Sequence, residues 1–288
     1  MNLYINQLQQ KPEFRHSVYS GDIFLSTNLK TTQQLCAFAT QSITAAFDGE
    51  TRHEAVHTMM PVAEFVERVT ALKRQFTNCR EVKEMIHAFV LEIGIDPALY
   101  LFDVPRIRVV PNYQYLHAGV SYAYKPHRDT WYGSADCQIN TWMPVYTIEP
   151  DQTMMINPAY FSTPVKNSSV DWSLADWINV QRPLAKANLT EETRIHPVPM
   201  EDIATGSEIR IAGNAGELIT FSGAHLHGTV PNLTDRTRFS IDFRLLHIQD
   251  LLNKRGAVNV DSGAKDAEAG YKDLFYVHDF SQFQGVTQ

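Results

Sequence analysis

Residues 223–240 read GAHLHGTVPNLTDRTRFS. Two histidines, His225 and His227, stand two positions apart. On a β-strand, side chains alternate between faces, so both would point the same way. Histidine is the commonest metal-ligating side chain, and strand parity alone does not choose between the two. After a turn, Arg238 and Ser240 are again two apart and share a strand face. An arginine fork beside a hydroxyl holds a carboxylate bidentately. A strand, a turn and a returning strand therefore predict a metal ligand and a carboxylate anchor side by side on a β-scaffold.

The texture of the chain after Pro105 fits that scaffold. RIRVV, SYAY, CQINTWMPVY, ELITF and RFSIDFRLL are short, rich in β-branched and aromatic residues, and separated by turn residues. Strands so spaced predict a sandwich or barrel. The first 100 residues read as helical. LKTTQQLCAFATQSITAAF places Leu35, Phe38, Ile43 and Phe47 at helical spacing, with Thr31 or Thr32 as the cap. PVAEFVERVTALKRQF opens on Pro61 and carries a stripe of Val62, Phe65, Val69, Leu72 and Phe76. EVKEMIHAFVLEIG ends at Gly94, a helix stop. The expected organisation is one domain, with a mainly helical part over 1–104, a β-core over 105–247 and an extension over 248–288. The segment 157–197, with Trp172 and Trp177, is too long for a plain connection and is expected to be a lid or binding loop.

Composition narrows the function. The chain has 288 residues, a formal net charge of −7, 44% hydrophobic and 20% charged residues. An acidic balance argues against sequence-independent nucleic-acid binding. No apolar run approaches the roughly 18 residues that span a bilayer. The N-terminal stretch lacks the pattern of a secretory signal. Cys36, Cys79 and Cys137 are too scattered for a disulfide framework or a cysteine-rich zinc site. The expectation is a cytoplasmic protein acting on a small molecule, without nucleic-acid or membrane partners, of open oligomeric state.

Two metal motifs compete. His53-Glu54-Ala55-Val56-His57 fits H-E-x-x-H, in which histidines four apart on a helix hold zinc and the glutamate acts as base. Gly49 and Pro61 confine any helix there to about three turns at most, and a third ligand would have to come from Glu67, Glu81 or Glu84. The bland reading is a short surface helix with exposed histidines. The second motif is His127-Arg128-Asp129, followed 98 residues after the aspartate by His227. On a strand, His127 and Asp129 share a face. Two histidines and one carboxylate on one face leave open positions, an arrangement suited to non-haem Fe(II).

The pattern H-x-D, a distant H-G-[ST]-x-x-N and an arginine eleven residues after that histidine resembles the phytanoyl-CoA dioxygenase-like family. The resemblance covers about residues 105–247. It implies a mainly β fold with α, a double-stranded β-helix (jelly roll, cupin-like) with an N-terminal helical buttress. It also implies Fe(II) with 2-oxoglutarate and O2 as co-substrates. By the same resemblance His127, Asp129 and His227 match the iron ligands, and this chooses His227 over His225. Arg238 matches the partner of the distal carboxylate of 2-oxoglutarate, with Ser240 and Thr229 beside it. Asp129 stands where related halogenases have a small residue, which favours hydroxylation, with release of succinate and CO2, over chlorination. His-Arg-Asp-Thr-Trp-Tyr is similar to a streptomycin-biosynthesis oxygenase-like subgroup. The run Met155-Ile156-Asn157-Pro158-Ala159-Tyr160-Phe161 departs from the family's P-G-S-H-like stretch, so substrate class does not carry over.

Other residues complete the expected site. Gln138, Asn140 and Trp142 alternate along one strand face, and two amides facing inward fit a polar site better than a dry core. Asn140 and Trp142 are assigned to the co-substrate. Gln138, Trp131, Tyr132 and His225 are assigned to a hydrophilic or natural-product substrate, with core packing the competing role for Trp131 and Tyr132. Arg236 is the alternative anchor to Arg238. Two other functions compete: a non-catalytic cupin-like binding protein, and a zinc hydrolase built on His53, Glu54 and His57.

Overall fold

The computed structural model describes residues 1–11, 13–187 and 191–285. Four helices occupy the N-terminal third: α1 (Phe14–Tyr19), α2 (Lys30–Ala46), α3 (Val62–Asn78) and α4 (Arg80–Glu92). Eleven strands follow the chain: β1 (Leu3–Ile5), β2 (Ile23–Ser26), β3 (Tyr100–Asp103), β4 (Arg106–Val110), β5 (Ile139–Pro144), β6 (Met154–Asn157), β7 (Ile209–Arg210), β8 (Leu218–Ser222), β9 (Leu226–Thr229), β10 (Arg238–His247) and β11 (Leu274–Tyr276).

β10 organises the larger sheet. Its ten residues pair antiparallel with β5 on one side. On the other side its two halves take different partners, Leu245–His247 with β3 and Arg238–Asp242 with β4. β3 and β4 thus lie end to end along one edge, interrupted at Val104-Pro105, where proline has no N–H for a ladder. The eight-stranded sheet runs β1-β2-β8-β5-β10-β3-β11 with β4 beside β10; a second sheet runs β7-β6-β9. All pairings are antiparallel except β1 with β2. This is an open jelly-roll, cupin-like arrangement with no closed barrel.

The period-two pattern of β10 divides its environment. Phe239, Ile241, Phe243 and Leu245 are buried in the main core with Phe65, Val69, Leu72 and Phe76 of α3 and Val82, Ile86 and Phe89 of α4. Truncating one such aromatic typically costs about 3–5 kcal/mol. The alternate residues Arg238, Asp242, Arg244 and Leu246 line a cavity on the opposite face. The helices are therefore a buttress that leaves the other face of the sheet free for chemistry.

Several expectations need correction. The N-terminal 104 residues are not only helical: β1, β2 and β3 join the large sheet, as does β11 from the C-terminal extension, so neither 104 nor 247 separates a helical part or an extension from the β-core. SYAY is not a strand; Gly119–Ser121 is a 3-10 turn and Tyr122–Tyr124 lack strand pairing. α2 is not capped by Thr31 or Thr32. The carboxylate of Glu92, at the end of α4, accepts from the backbone N–H groups of Lys30 and Thr31 at 2.8 and 2.9 Å, so a tertiary partner serves the orphan donors. No described helix is long and apolar enough to cross a membrane.

Candidate metal centre

Asp129 and His127 do not sit on one strand. His127 makes a single antiparallel bridge to His227, its N–H donating to the His227 carbonyl at 2.8 Å and its carbonyl accepting from His227 at 2.9 Å. Asp129 begins a 3-10 turn (Asp129–Tyr132), and its N–H donates to Gly223. The pairing across the bridge, rather than strand parity, brings the three side chains together. All three are buried, and one ligand atom from each lies within 4.8 Å of the others. Among the described residues no other such group of histidine, cysteine or carboxylate exists.

Each ligand is oriented by its remaining atom. His127 Nδ1 faces the Lys125 carbonyl at 2.7 Å, and His227 Nδ1 faces the His225 carbonyl at 2.9 Å. A carbonyl only accepts, so Nδ1 carries the proton in both rings and each Nε2 keeps its lone pair. Both Nε2 atoms face Asp129 Oδ1, at 3.7 and 3.9 Å. Asp129 Oδ2 accepts from Gln138 Nε2 at 2.8 Å and Asn140 Nδ2 at 2.6 Å, leaving Oδ1 free. Two imidazole nitrogens and one carboxylate oxygen converge, each held by a second hydrogen bond of the kind that tunes metal sites. Burial raises the Asp129 carboxyl, but the adjoining imidazoles of His127 and His227 and the charge of Arg244 outweigh it and hold the group well below the carboxylate range. Burial, with His127 alongside, pushes His227 down to about 4, so its ring is neutral, as ligation requires.

His227 and Arg238 lie on different sheets, β9 and β10, and face each other across a cavity of about 490 Å³ rather than standing side by side on paired strands. Arg238 is 5% exposed. One Nη donates to the Gln152 carbonyl at 3.1 Å, while Nε and the Ser240 hydroxyl have no partner among the described residues. No carboxylate pairs with this guanidinium among the described residues. Burial and the nearby Arg108 push it down to about 10, still protonated at neutral pH. A buried, unpaired cation beside an orphan hydroxyl is costly unless an anion completes it. Arg236, the alternative anchor, pairs with Glu54 at 2.5 Å and faces away from this role.

The other expected residues divide. Thr229, Trp142, Gln138, Asn140 and Tyr132 line the cavity. The two amides serve the ligand carboxylate directly, and the Trp142 ring lies 5.9 Å from the Arg238 guanidinium. Trp131 does not reach the cavity; fully buried, it packs with Val165 and Leu226 and donates to Asp261. His225 precedes β9 rather than sharing its face. Its nitrogens meet the carbonyls of Ser222 and Gly21 and its ring packs on Phe161, outside the cavity. His53 and His57 also leave the expected geometry. Residues His53–Thr58 form a 3-10 helix, in which positions four apart point about 120° apart. The nitrogens of His53 bind Thr44 and Tyr146, His57 binds Thr237, and Glu54 pairs with Arg236, so the motif braces the turn that leads into β10.

Sequence reasoning named Tyr132 as a wall residue but missed the aromatic cluster built around it. Tyr122 stacks on His196 at 4.1 Å, the Tyr132 hydroxyl faces His196 Nδ1 at 3.0 Å, and Trp177 lies 4.8 Å from the same imidazole. Of the described residues of the 157–197 segment, Trp177, Ile178, Arg182 and Arg194 line the cavity, and His196 packs against Tyr122 and Tyr132. Sequence reasoning also missed Arg106 and Arg108, although alternate arginines in R-I-R-V-V are the mark of a strand with a polar inner face.

No family model matches the sequence, and no curated protein matches it. Among solved structures the chain is similar to ThoJ, a non-heme monooxygenase, at 14% identity and a TM-score of 0.45, over 75% of this chain and 69% of that one. It is similar to EvdO2 from Micromonospora carbonacea var. aurantiaca complexed with 2-oxoglutarate, at 12% identity and a TM-score of 0.39, over 60% of this chain and 62% of that one. It is similar also to SnoN, a non-heme alpha ketoglutarate dependent epimerase from nogalamycin biosynthesis, at 9% identity and a TM-score of 0.39, over 82% and 84%.

Proposed function

We propose that the protein is an Fe(II)- and 2-oxoglutarate-dependent oxygenase of the kind its H-x-D…H motifs resemble, hydroxylating a small molecule in the cytoplasm. The observation that carries this reading is the joint state of the two halves of the cavity. On one side, two imidazole Nε2 atoms and Asp129 Oδ1 converge with no competing hydrogen bond. Across from them, Arg238 and Ser240 present unsatisfied donors. A metal ion suits the first set, and the free carboxylate of a keto acid bound to that metal suits the second.

In this reading His127, Asp129 and His227 hold the iron, which supplies the oxygen-activating chemistry when bound. Gln138 and Asn140 hold Asp129 in one rotamer. Arg238 and Ser240 bind the distal carboxylate of the co-substrate and fix its orientation. Tyr122, Tyr132 and Trp177 shield the cavity from water on the substrate side. The retained carboxylate at Asp129 favours hydroxylation over halogenation.

Anaerobic titration of the protein with Fe(II) and 2-oxoglutarate tests the reading. The expected result is the weak visible charge-transfer band of the chelate, lost in Asp129→Ala and weakened in Arg238→Met. A wild-type protein without the band, or an undiminished band in Asp129→Ala, overturns it. Slow 2-oxoglutarate turnover without substrate separates the enzyme from a silent binding protein.

A further inference from the structure

The cavity carries more positive charge than the proposed iron and co-substrate use. With Asp129, Arg238, a divalent metal and a dicarboxylate in place, that part of the cavity is electrically neutral. At the end lined by α3, β3, β4 and β10, Arg106, Arg108 and Arg244 form ion pairs, among the described residues, with two carboxylates, Asp103 and Asp242, and Arg244 also lies within the field of Asp129. Arg108 grips Asp242 through Nε and Nη2 at 2.9–3.2 Å, and Arg244 holds Asp103 at 3.0 Å with Asp242 at 3.5 Å. Arg106 pairs with Asp103. Both carboxylates are thus shared out among the arginines. Nearby Arg194 is neutralised by Glu192 at 2.6 Å, and Arg182 by Asp273 at 2.7 Å.

Lys73 is left over. Among the described residues it forms no ion pair; its Nζ donates to the Val120 carbonyl, which uses one of three protons. The next residue, Ser121, is 2% exposed, lines the same cavity, and its hydroxyl has no partner among the described residues. Burial and the charges of Arg108 and Arg194 outweigh the opposing charge of Asp242 and push Lys73 down to about 7, the sign of a cation held mainly among cations. The subsite lies close to the metal ligands. The Tyr124 ring lies 5.4 Å from the His127 ring and 5.7 Å from the Arg108 guanidinium.

We propose that Lys73, Arg108 and Ser121 form an anion subsite that receives a carboxylate or phosphate group of the substrate. The substrate class is then a small organic acid or phosphate ester whose anionic group anchors beside Tyr124. Its reacting carbon is held about one ring's width away, towards the metal ligands. The proposal rests on the oxygenase reading for the reaction and on Lys73, Arg108 and Ser121 alone for the binding.

The test uses the full chain, with and without Fe(II) and 2-oxoglutarate under anaerobic conditions, titrated with inorganic phosphate and, separately, acetate at low ionic strength and pH 6.5. Binding is followed by calorimetry. The expected result is saturable binding of one anion per chain, at least tenfold weaker in Lys73→Met, restored in Lys73→Arg, and leaving the chelate band in place. The tighter of the two probes distinguishes a phosphate ester from a carboxylic acid. Binding that is absent, unchanged in Lys73→Met, or accompanied by loss of the chelate band (an anion at Arg238) overturns the subsite. A Lys73→Met protein that still gives the band is folded, so its loss of phosphate binding is local. Lys73-dependent binding with no chelate band sinks the oxygenase reading and leaves the subsite standing; the band without Lys73-dependent binding does the reverse.

Discussion

The ring centroids of His127 and His227 lie 4.5 Å apart because the two residues exchange both backbone hydrogen bonds of a single antiparallel bridge. Side chains of directly opposed residues leave the same face of such a pair. The turn at Asp129, anchored by its N–H on Gly223, then brings the carboxylate under both rings. The candidate metal centre is therefore a property of where the His127 segment touches β9.

Gly228 makes that touch possible. A Cβ there would sit 3.1 Å from the Pro126 nitrogen and 3.2 Å from the Lys125 carbonyl carbon, both backbone atoms. Gly228→Ala must push the His127 segment away from β9. The expected outcome is a loss of about 1–3 kcal/mol of stability together with weaker Fe(II) binding, read by chemical denaturation and competition with a chromogenic chelator. An alanine variant with wild-type iron affinity would show that the bridge does not set the ligand geometry.

Asn140 donates to Asp129 Oδ2, the carboxylate oxygen that does not face the two imidazoles. Asn140→Ala leaves Asp129 free to rotate, with Gln138 as its remaining amide partner. Iron affinity should fall roughly 10–100-fold, the usual effect of losing an outer partner, while the fold persists. Unchanged affinity would mean that Gln138 alone fixes the carboxylate.

How much of this was legible depends on how local the signal is. β10 was readable because Arg238 to Leu245 alternates charge or hydroxyl with large apolar residues, and each set meets a different environment. β3, YLFD, is buried at every position and shows no alternation, and β1 and β2 are three or four residues long. Such strands carry no period and need their neighbours to exist. In the metal centre the residue types were legible, but the reason they meet was not. Period-two reasoning put Asp129 on a strand, whereas it lies in a turn. The same reasoning put His225 in the site, whereas a turn at Gly223-Ala224 aims it at Gly21. Lys73 was invisible because its helix shows only a regular apolar stripe, and its role arises from what the sheet lacks.

Arg238 forms no ion pair among the described residues, and its Nε has no hydrogen-bond partner there. Arg238→Met should therefore leave the unliganded protein as stable as wild type or more so, since a buried charge is exchanged for an apolar side chain of similar length. The same change should weaken 2-oxoglutarate binding roughly a hundredfold, within the range of about 2–5 kcal/mol for removing one partner of a buried charge pair. Thermal melts with and without the co-substrate check both halves. A variant that melts well below wild type without ligand, yet keeps its affinity, would assign Arg238 to structure.

The bracing histidines predict a pH dependence of stability that is separate from metal binding. Thr44 gives its hydroxyl proton to the Thr40 carbonyl, so it accepts from His53 Nε2, and Nδ1 is left to accept from the Tyr146 hydroxyl at 2.6 Å. A second proton on the ring would break that bond. Burial lowers both His53 and His57 from the ordinary value of 6.5, despite nearby carboxylates that raise them. A group lowered in the folded state binds more protons when unfolded, so its contribution is full above 6.5 and is lost as pH falls through the folded-state value. The urea midpoint of the metal-free protein should thus hold steady from pH 8 to 7 and decline below 6.5. The decline should be shallower in His53→Gln, which cannot titrate. A midpoint indifferent to pH across that window, or a slope unaltered by the substitution, would remove these histidines from the account of how the turn before Arg238 is held.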